Sequence, residues 1–245
     1  TMEEKFFAFT YNKHIYTVNL NSKQSREDCQ ARINHNTGKK FKWFKESTGK
    51  RNWVLYDSDM YKVRCSNFIT HYDVVLQYID KDFRPEMPIN ASSCRCMFAL
   101  HGRRFAADVL DFSNFNTENI VTMDKMFFLC ELPRELDLTY FNISNVTNMR
   151  AMFASSGGLV HLNLSNWDAR KVENMSQMFF GCESLAKIDF TDFKTNPLHI
   201  VTGMFNGCSS LKELDLSMFN TQRVETMYKM FAGCKSLERV NLSSF

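Results

Sequence analysis

Proline and glycine are scarce, at 4 and 9 among 245 residues. A collagen-like or linker-like chain needs far more of both, and a disordered one far fewer apolar residues than the 44% found here. Long apolar runs are missing as well. Met126-Phe127-Phe128-Leu129 is representative, well short of the roughly 20 residues that carry a helix across a bilayer, so no membrane span is expected. There is no Gly-rich phosphate loop, no pair of metal ligands at helix spacing and no nucleophile motif. His14, His35, His71, His101, His161 and His199 are scattered, and none has a partner at a spacing that points to acid–base work. These absences predict a non-enzymatic protein with no catalytic, cofactor-binding or metal-binding residues.

The charge that is present is divided unevenly. Residues 1–100 hold 16 Lys and Arg against 11 Asp and Glu, and residues 101–245 hold 14 against 16. Two regions of different chemistry are implied. The chain opens Thr1-Met2-Glu3-Glu4, an acidic start without the basic and apolar segments of a secretory leader, which predicts a cytoplasmic location.

A repeat occupies the C-terminal region. Leu110, Leu136, Leu162, Ile188, Leu214 and Val240 lie 26 residues apart. Ten positions into the units stand Ile120, Val146, Val172, Leu198 and Val224, and further on come Met126-Phe127, Met152-Phe153, Met178-Phe179, Met204-Phe205 and Met230-Phe231. An aromatic recurs as Phe115, Phe141, Trp167, Phe193, Phe219 and Phe245. Leu159, Leu162 and Leu164 read as a strand, while Val172, Met175, Met178, Phe179 and Cys182 fall at spacings of three and four, the pattern of one helix face. Asn196-Pro197 suits a helix start, and Gly181, Gly207 and Gly233 suit helix ends. Strands joined through such helices stack in parallel, so the sequence predicts an α/β solenoid of five full strand–helix repeats and a terminal strand over residues 110–245.

Leu-Asp-Leu-Ser-x-Phe, Asn-Val-Thr-Asn-Met-x-x-Met-Phe and Gly-Cys-x-Ser-Leu, as they stand in this chain, resemble the BspA-like leucine-rich-repeat family, whose repeats are catalogued as a mycoplasma domain of unknown function. The resemblance covers about residues 105–245. It implies a leucine-rich-repeat solenoid that binds another protein without catalysis, and, as in many family members, a cell-surface or secreted location as the alternative to the cytoplasm.

Cys130, Cys182, Cys208 and Cys234 share one repeat position, with Ser156 in the second unit, and read as reduced, small apolar packers on neighbouring units. Cys94-x-Cys96 lacks the second Cys/His pair of a zinc site and reads as part of a packed cap.

Residues 1–85 lack the repeat and read as a small α+β domain. Two hairpins, around Asn12-Lys13 and around Ser47 to Lys50, each precede a helix, over Ser25 to Asn34 and Asn67 to Asp80, in a ββαββα order. Pro85 and Pro88 open a linker and N-terminal cap over residues 86–109. Within this domain Arg32, Lys39, Lys40, Lys42, Lys45, Lys50 and Arg51 stand against Glu46 alone and alternate with Phe41, Trp43, Phe44 and Trp53. Such a mixture suits single-stranded nucleic acid, or an acidic protein such as a nucleic-acid enzyme to be inhibited. Alternation favours instead a hairpin whose rings face a core while its lysines are solvated, since Phe41, Trp43 and Lys45 fall on one side and Lys40, Lys42 and Phe44 on the other.

On the solenoid strands, residues alternating with the buried leucines face outward on the concave side. Asp111, Asp137, Asn163, Asp189, Asp215 and Asn241 form one column, accompanied by the hydroxyls of Ser113, Thr139, Ser165, Thr191, Ser217 and Ser243. This uniform column reads either as a structural hydrogen-bonding device or as an acidic docking surface. The column before the leucines, Val109, Glu135, His161, Lys187, Glu213 and Arg239, varies from unit to unit. Varied chemistry on a uniform frame predicts partner recognition, so Glu135, His161, Lys187, Glu213 and Arg239, with Asp137, Asp189 and Asp215, are the expected protein-binding residues. Val240 to Phe245 carry a strand and an aromatic without a following helix. That end predicts either a continuing chain or burial against a partner or a second copy through self-association.

Overall fold

In a computed structural model the described residues are 7–11, 14–45, 52–56, 62–66, 74–75, 82–83, 92–95, 97–99, 109–110, 112 and 115–245. The N-terminal region begins with an antiparallel pair, β1 (Phe7–Tyr11) and β2 (His14–Val18), in register Tyr11 to His14. Asn12-Lys13 lie outside the described residues. Helix α1 (Lys23–Thr37) follows. Ser22 caps its start by accepting the N–H of Ser25 at 3.2 Å, and Gly38 ends it at φ 68°, a left-handed conformation that glycine adopts without steric cost. Its buried residues Cys29 and Ile33 pack with Tyr16, Val18, Leu20, Phe41 and Leu55.

β3 (Lys42–Lys45), β4 (Asn52–Tyr56), β5 (Lys62–Ser66) and β6 (Val74–Val75) make a four-stranded antiparallel sheet in that order. The second helix expected over 67–80 is corrected here: Val74 and Val75 pair with Cys65 and Arg64 as a strand, and the rest of that segment lies outside the described residues. Two consecutive β-branched side chains are restricted at χ1 in a helix and fit a pleated strand. β7 (Asp82–Phe83) then pairs in parallel with β8 (Val109–Leu110).

From Ser92 onward the units stack along three parallel lines of pairing. The first contains β9 (Glu135–Asp137), β10 (His161–Asn163) and β12 (Lys187–Asp189), and further along it β14 (Glu213–Asp215) with β15 (Arg239–Asn241). The second pairs β11 (Asp168–Ala169) with β13 (Lys194–Thr195). The third is a chain of single bridges from Ser93 through Thr122, Asn148 and Asn174 to Ile200. Within each of the two sheets of the first line a residue meets the one 26 positions on, so Leu136 pairs with Leu162, Leu162 with Ile188 and Leu214 with Val240, while β12 and β14 are not paired with each other.

The helix expected in each unit is absent; among the described residues the only α-helix is α1. At Met175, Gln177, Phe179 and Gly181 the N–H groups donate to Ile200, Thr202, Met204 and Asn206 of the next unit, at 2.7–2.9 Å. The N–H groups of Met178, Phe180 and Cys182 close turns onto residues three positions back, and that of Ser176 donates to the Asn174 side chain. An α-helix would claim every N–H for the carbonyl four residues back and leave none for a neighbour. Backbones at φ 50–81° recur at Lys125, Leu129, Ala151, Ser155, Gln177, Gly181, Gly203, Gly207, Lys229 and Gly233 and bend the chain so that every third or fourth side chain still turns inward. Gly181, Gly207 and Gly233 therefore sit in this turn ribbon, not at helix ends, and Asn196-Pro197 starts no helix.

The core follows the same stacking. Phe98, Phe127, Phe153, Phe179, Phe205 and Phe231 form a column with ring centroids 5.3–6.0 Å apart and planes within 10° of parallel. Phe115, Phe141, Trp167, Phe193 and Phe219 form a second column at 5.5–6.4 Å, in which the Trp167 indole N–H donates to the Leu138 carbonyl. The cap segment joins the first column through Phe98, although its spacing to Phe127 exceeds the period by three residues.

Candidate functional site

Because Leu136, Leu162 and Leu214 turn inward, their neighbours on the strand turn out. Glu135, His161, Lys187, Glu213 and Arg239 are all exposed; the first three stand in register on one sheet and the last two in register on another. Val109 lies at the corresponding place on β8, and nothing is described of its side chain. His161 stands between Glu135 and Lys187, with its Nδ1 3.7 Å from the Glu135 carboxylate, an ion pair when the imidazole is protonated. Arg239 pairs with Glu213. Both pairs are open to solvent, where such contacts contribute about 0–1 kcal/mol. A partner can therefore displace them at little cost.

The uniform column is engaged within its own turns. Asp137 accepts the N–H of Thr139 at 2.9 Å and its hydroxyl at 2.6 Å; Asp189 does the same with Thr191 at 2.9 and 2.7 Å. Asp215, Asn163 and Asn241 each accept the N–H of the serine two residues on, at 3.0 Å. These bonds close the turn that ends each strand. The Thr191 hydroxyl, with its N–H, holds the Asp189 carboxyl below its usual range, and Ser217 does so for Asp215. Asp111 and Ser113 lie outside the described residues.

The position shared by cysteine and Ser156 makes a defined contact. The thiols of Cys182, Cys208 and Cys234 donate to the carbonyls of Phe153, Phe179 and Phe205 at 3.0–3.1 Å, and the Ser156 hydroxyl donates to that of Phe127 at 2.9 Å. Among the described residues Cys29, Cys94, Cys130, Cys182, Cys208 and Cys234 are free thiols. Burial pushes Cys182 up to about 12 and raises Cys94, Cys130 and Cys208 as well. These are poor nucleophiles, because the thiolate is the reactive form. Cys96 lies outside the described residues, and among those described no group of three or more His, Cys, Asp or Glu is gathered for a metal ion.

In the N-terminal sheet the basic stretch divides between two faces. Trp43 and Trp53 pack against the core beside buried Phe41, with Arg26 lying 4.0 Å over the Trp53 ring. Lys40, Lys42 and Lys45 are exposed and Lys39 is half-buried; Lys50 and Arg51 lie outside the described residues. Phe44 points outward and meets Tyr56 of the neighbouring strand at 5.4 Å between centroids. Tyr56 is absent from the basic run because it belongs to the facing strand, and only the register brings it beside Phe44.

Sequence reading also omits a shallow open cleft of about 400 Å³ lined by Arg170, Lys171, Glu173, Asn196, His199 and Arg223 among others. Two of its cations are already engaged. Arg170 grips Asp168 through two bonds of 2.8 Å, holding that carboxyl below its usual range, and Lys171 donates to Asn145. A run of Arg170, Lys171 and Arg223 at neighbouring repeat positions is the signal that points to it.

The family described as "Mycoplasma protein of unknown function, DUF285" matches residues 92–187 and 157–245. The chain belongs to this family. The match begins at the cap segment that carries Phe98, and its two spans cover the stacked units. No curated protein and no solved structure matches the chain. Among the described residues no helix is long and apolar enough to cross a membrane.

Proposed function

We propose that residues 110–245 are a leucine-rich-repeat solenoid of the BspA-like kind, preceded by a linker and cap, and that the chain works without catalysis, as a docking module for another protein. Its partner seats on the strand face, concave in a curved solenoid, across Glu135, His161, Lys187, Glu213 and Arg239. Asp137, Asp189 and Asp215 flank the contact while also closing the strand turns. The observation that carries this reading is a contrast within one unit. The positions that build the stack repeat almost without change, whereas the exposed residue before each inward aliphatic of the strands passes from acid to imidazole to amine, in register on one sheet, and from acid to guanidinium on the next. Stacking alone requires no such variety at exposed positions, where substitutions alter stability by within about 0.5 kcal/mol. The test is capture of binding proteins from the native organism on the immobilised chain, compared with a variant carrying His161→Glu, Lys187→Glu, Glu213→Lys and Arg239→Glu. A protein retained by the first and lost by the second supports the assignment; equal retention by both removes it.

A further inference from the structure

We propose that the outward face of the β3–β4–β5–β6 sheet binds single-stranded nucleic acid, with bases stacking on Phe44 and Tyr56. Two large rings stand on this face rather than under it: Phe44 is 48% exposed and Tyr56 37%, and they form a tilted pair 5.4 Å apart. The inner face already has its rings, since Trp43 and Trp53 pack on the α1 core. A hairpin that used aromatics only for its own core would not need the outer pair.

The register puts basic residues in the same cross-strand rows as that pair. Lys42 lies opposite Tyr56, and Tyr56 in turn opposite Lys62, so one row across the three strands reads Lys, Tyr, Lys. The next row runs from Phe44 through Val54 and Arg64 to Val75. The four strands, KWFK, NWVLY, KVRCS and VV, contain no Asp or Glu. Positive charge recruits phosphates by releasing their counterions, and exposed rings on a sheet offer stacking planes to bases. Only an unpaired strand has base faces to offer, because a duplex keeps them within its own stack. An acidic protein would satisfy the lysines and leave the rings without a purpose; an unpaired strand uses both.

The experiment is fluorescence anisotropy on the full chain with a labelled oligothymidine, the matched duplex, and heparin as a polyanion without bases. Oligothymidine should bind at low salt, with the duplex at least about tenfold weaker. Removing both rings by Phe44→Ala and Tyr56→Ala should weaken oligothymidine about tenfold or more and leave heparin unchanged. Phe44→Leu, which keeps an apolar side chain and loses only the π-face, should weaken oligothymidine in the same direction and guards against a folding defect in the double variant. Lys42→Gln with Lys62→Gln should reduce the slope of log affinity against log salt by about 1.4. The proposal is overturned if oligothymidine does not bind at low salt, if ring removal leaves its affinity unchanged, or if a polyglutamate peptide competes as well as unlabelled oligothymidine.

Discussion

The thiol of Cys182 donates to the carbonyl oxygen of Phe153 at 3.0 Å, 29 residues back along the chain, and the Ser156 hydroxyl makes the equivalent bond to Phe127 at 2.9 Å. A carbonyl that already accepts a backbone N–H within its own unit thus takes a second hydrogen bond from a side chain of the next. This explains why the position accepts either cysteine or serine, two small donors, and it predicts an ordering of variants. Cys182→Ser should unfold close to the wild-type urea midpoint, whereas Cys182→Ala should lose about 0.5–1.5 kcal/mol, because the Phe153 carbonyl keeps the Ser156 N–H at 3.1 Å and loses only its second donor. Equal midpoints for the two variants would show that the contact is packing alone.

A second expectation follows from the left-handed positions. A Cβ added at Gly207 would lie 3.3 Å from the Gly181 Cα, and Gly207 sits at φ 81°. Backbone has no flexible end with which to yield, so Gly207→Ala should destabilise by about 2 kcal/mol or more through strain and crowding together. Leu129 occupies the equivalent position at φ 50° with its side chain exposed, and Leu129→Gly should raise the unfolding free energy by about 1 kcal/mol. Paired urea titrations of the two variants read both signs.

Phe179 is fully buried and stacks 5.6 Å from Phe153 and 5.4 Å from Phe205. Phe179→Ala should cost about 3–5 kcal/mol as a large-to-small core change. Because each unit buries its apolar face against its neighbours, the loss should spread. Amide exchange at Phe153 and Phe205 should accelerate along with that at residue 179; unchanged protection there would contradict a continuous column.

The Asp189 carboxyl is held low chiefly by the Thr191 hydroxyl. Folding therefore favours its ionised form, and the associated stability is present above about pH 4 and is lost as pH falls through the lower folded value. Thr191→Val should return the Asp189 titration, followed by carboxyl NMR, toward the ordinary range and shift acid unfolding to slightly higher pH. An unmoved titration would assign the effect to the Thr191 backbone N–H instead.

The period was legible in the residues themselves, since a Leu or Ile every 26 positions sets which strands meet, as Leu162 meets Leu136 and Ile188. The conformation between the strands was not. Val172, Met175, Met178, Phe179 and Cys182 turn inward at spacings that a helix and a chain of tight turns share, so the pattern cannot separate them. Positive φ at Lys125 and Gln177 has no residue signature either; Gly203 in the same column is the one hint. The exposed column could be read from alternation about Leu136, whereas the His161–Glu135 and Arg239–Glu213 pairs required the register. The meeting of Phe44 with Tyr56 was hidden for the same reason, because hairpin pairing depends on backbone geometry that a Ser-Thr-Gly-Lys segment does not specify.

Recognition through the varied strand column is tested most directly by titrating a partner captured from the native organism into the wild-type chain and into the variant bearing His161→Glu, Lys187→Glu, Glu213→Lys and Arg239→Glu, with thermal unfolding of both recorded alongside. The expected result is a loss of affinity of at least about tenfold with a melting temperature that scarcely moves, as for exposed substitutions. Unchanged affinity with unchanged melting would contradict the assignment and move recognition off this face.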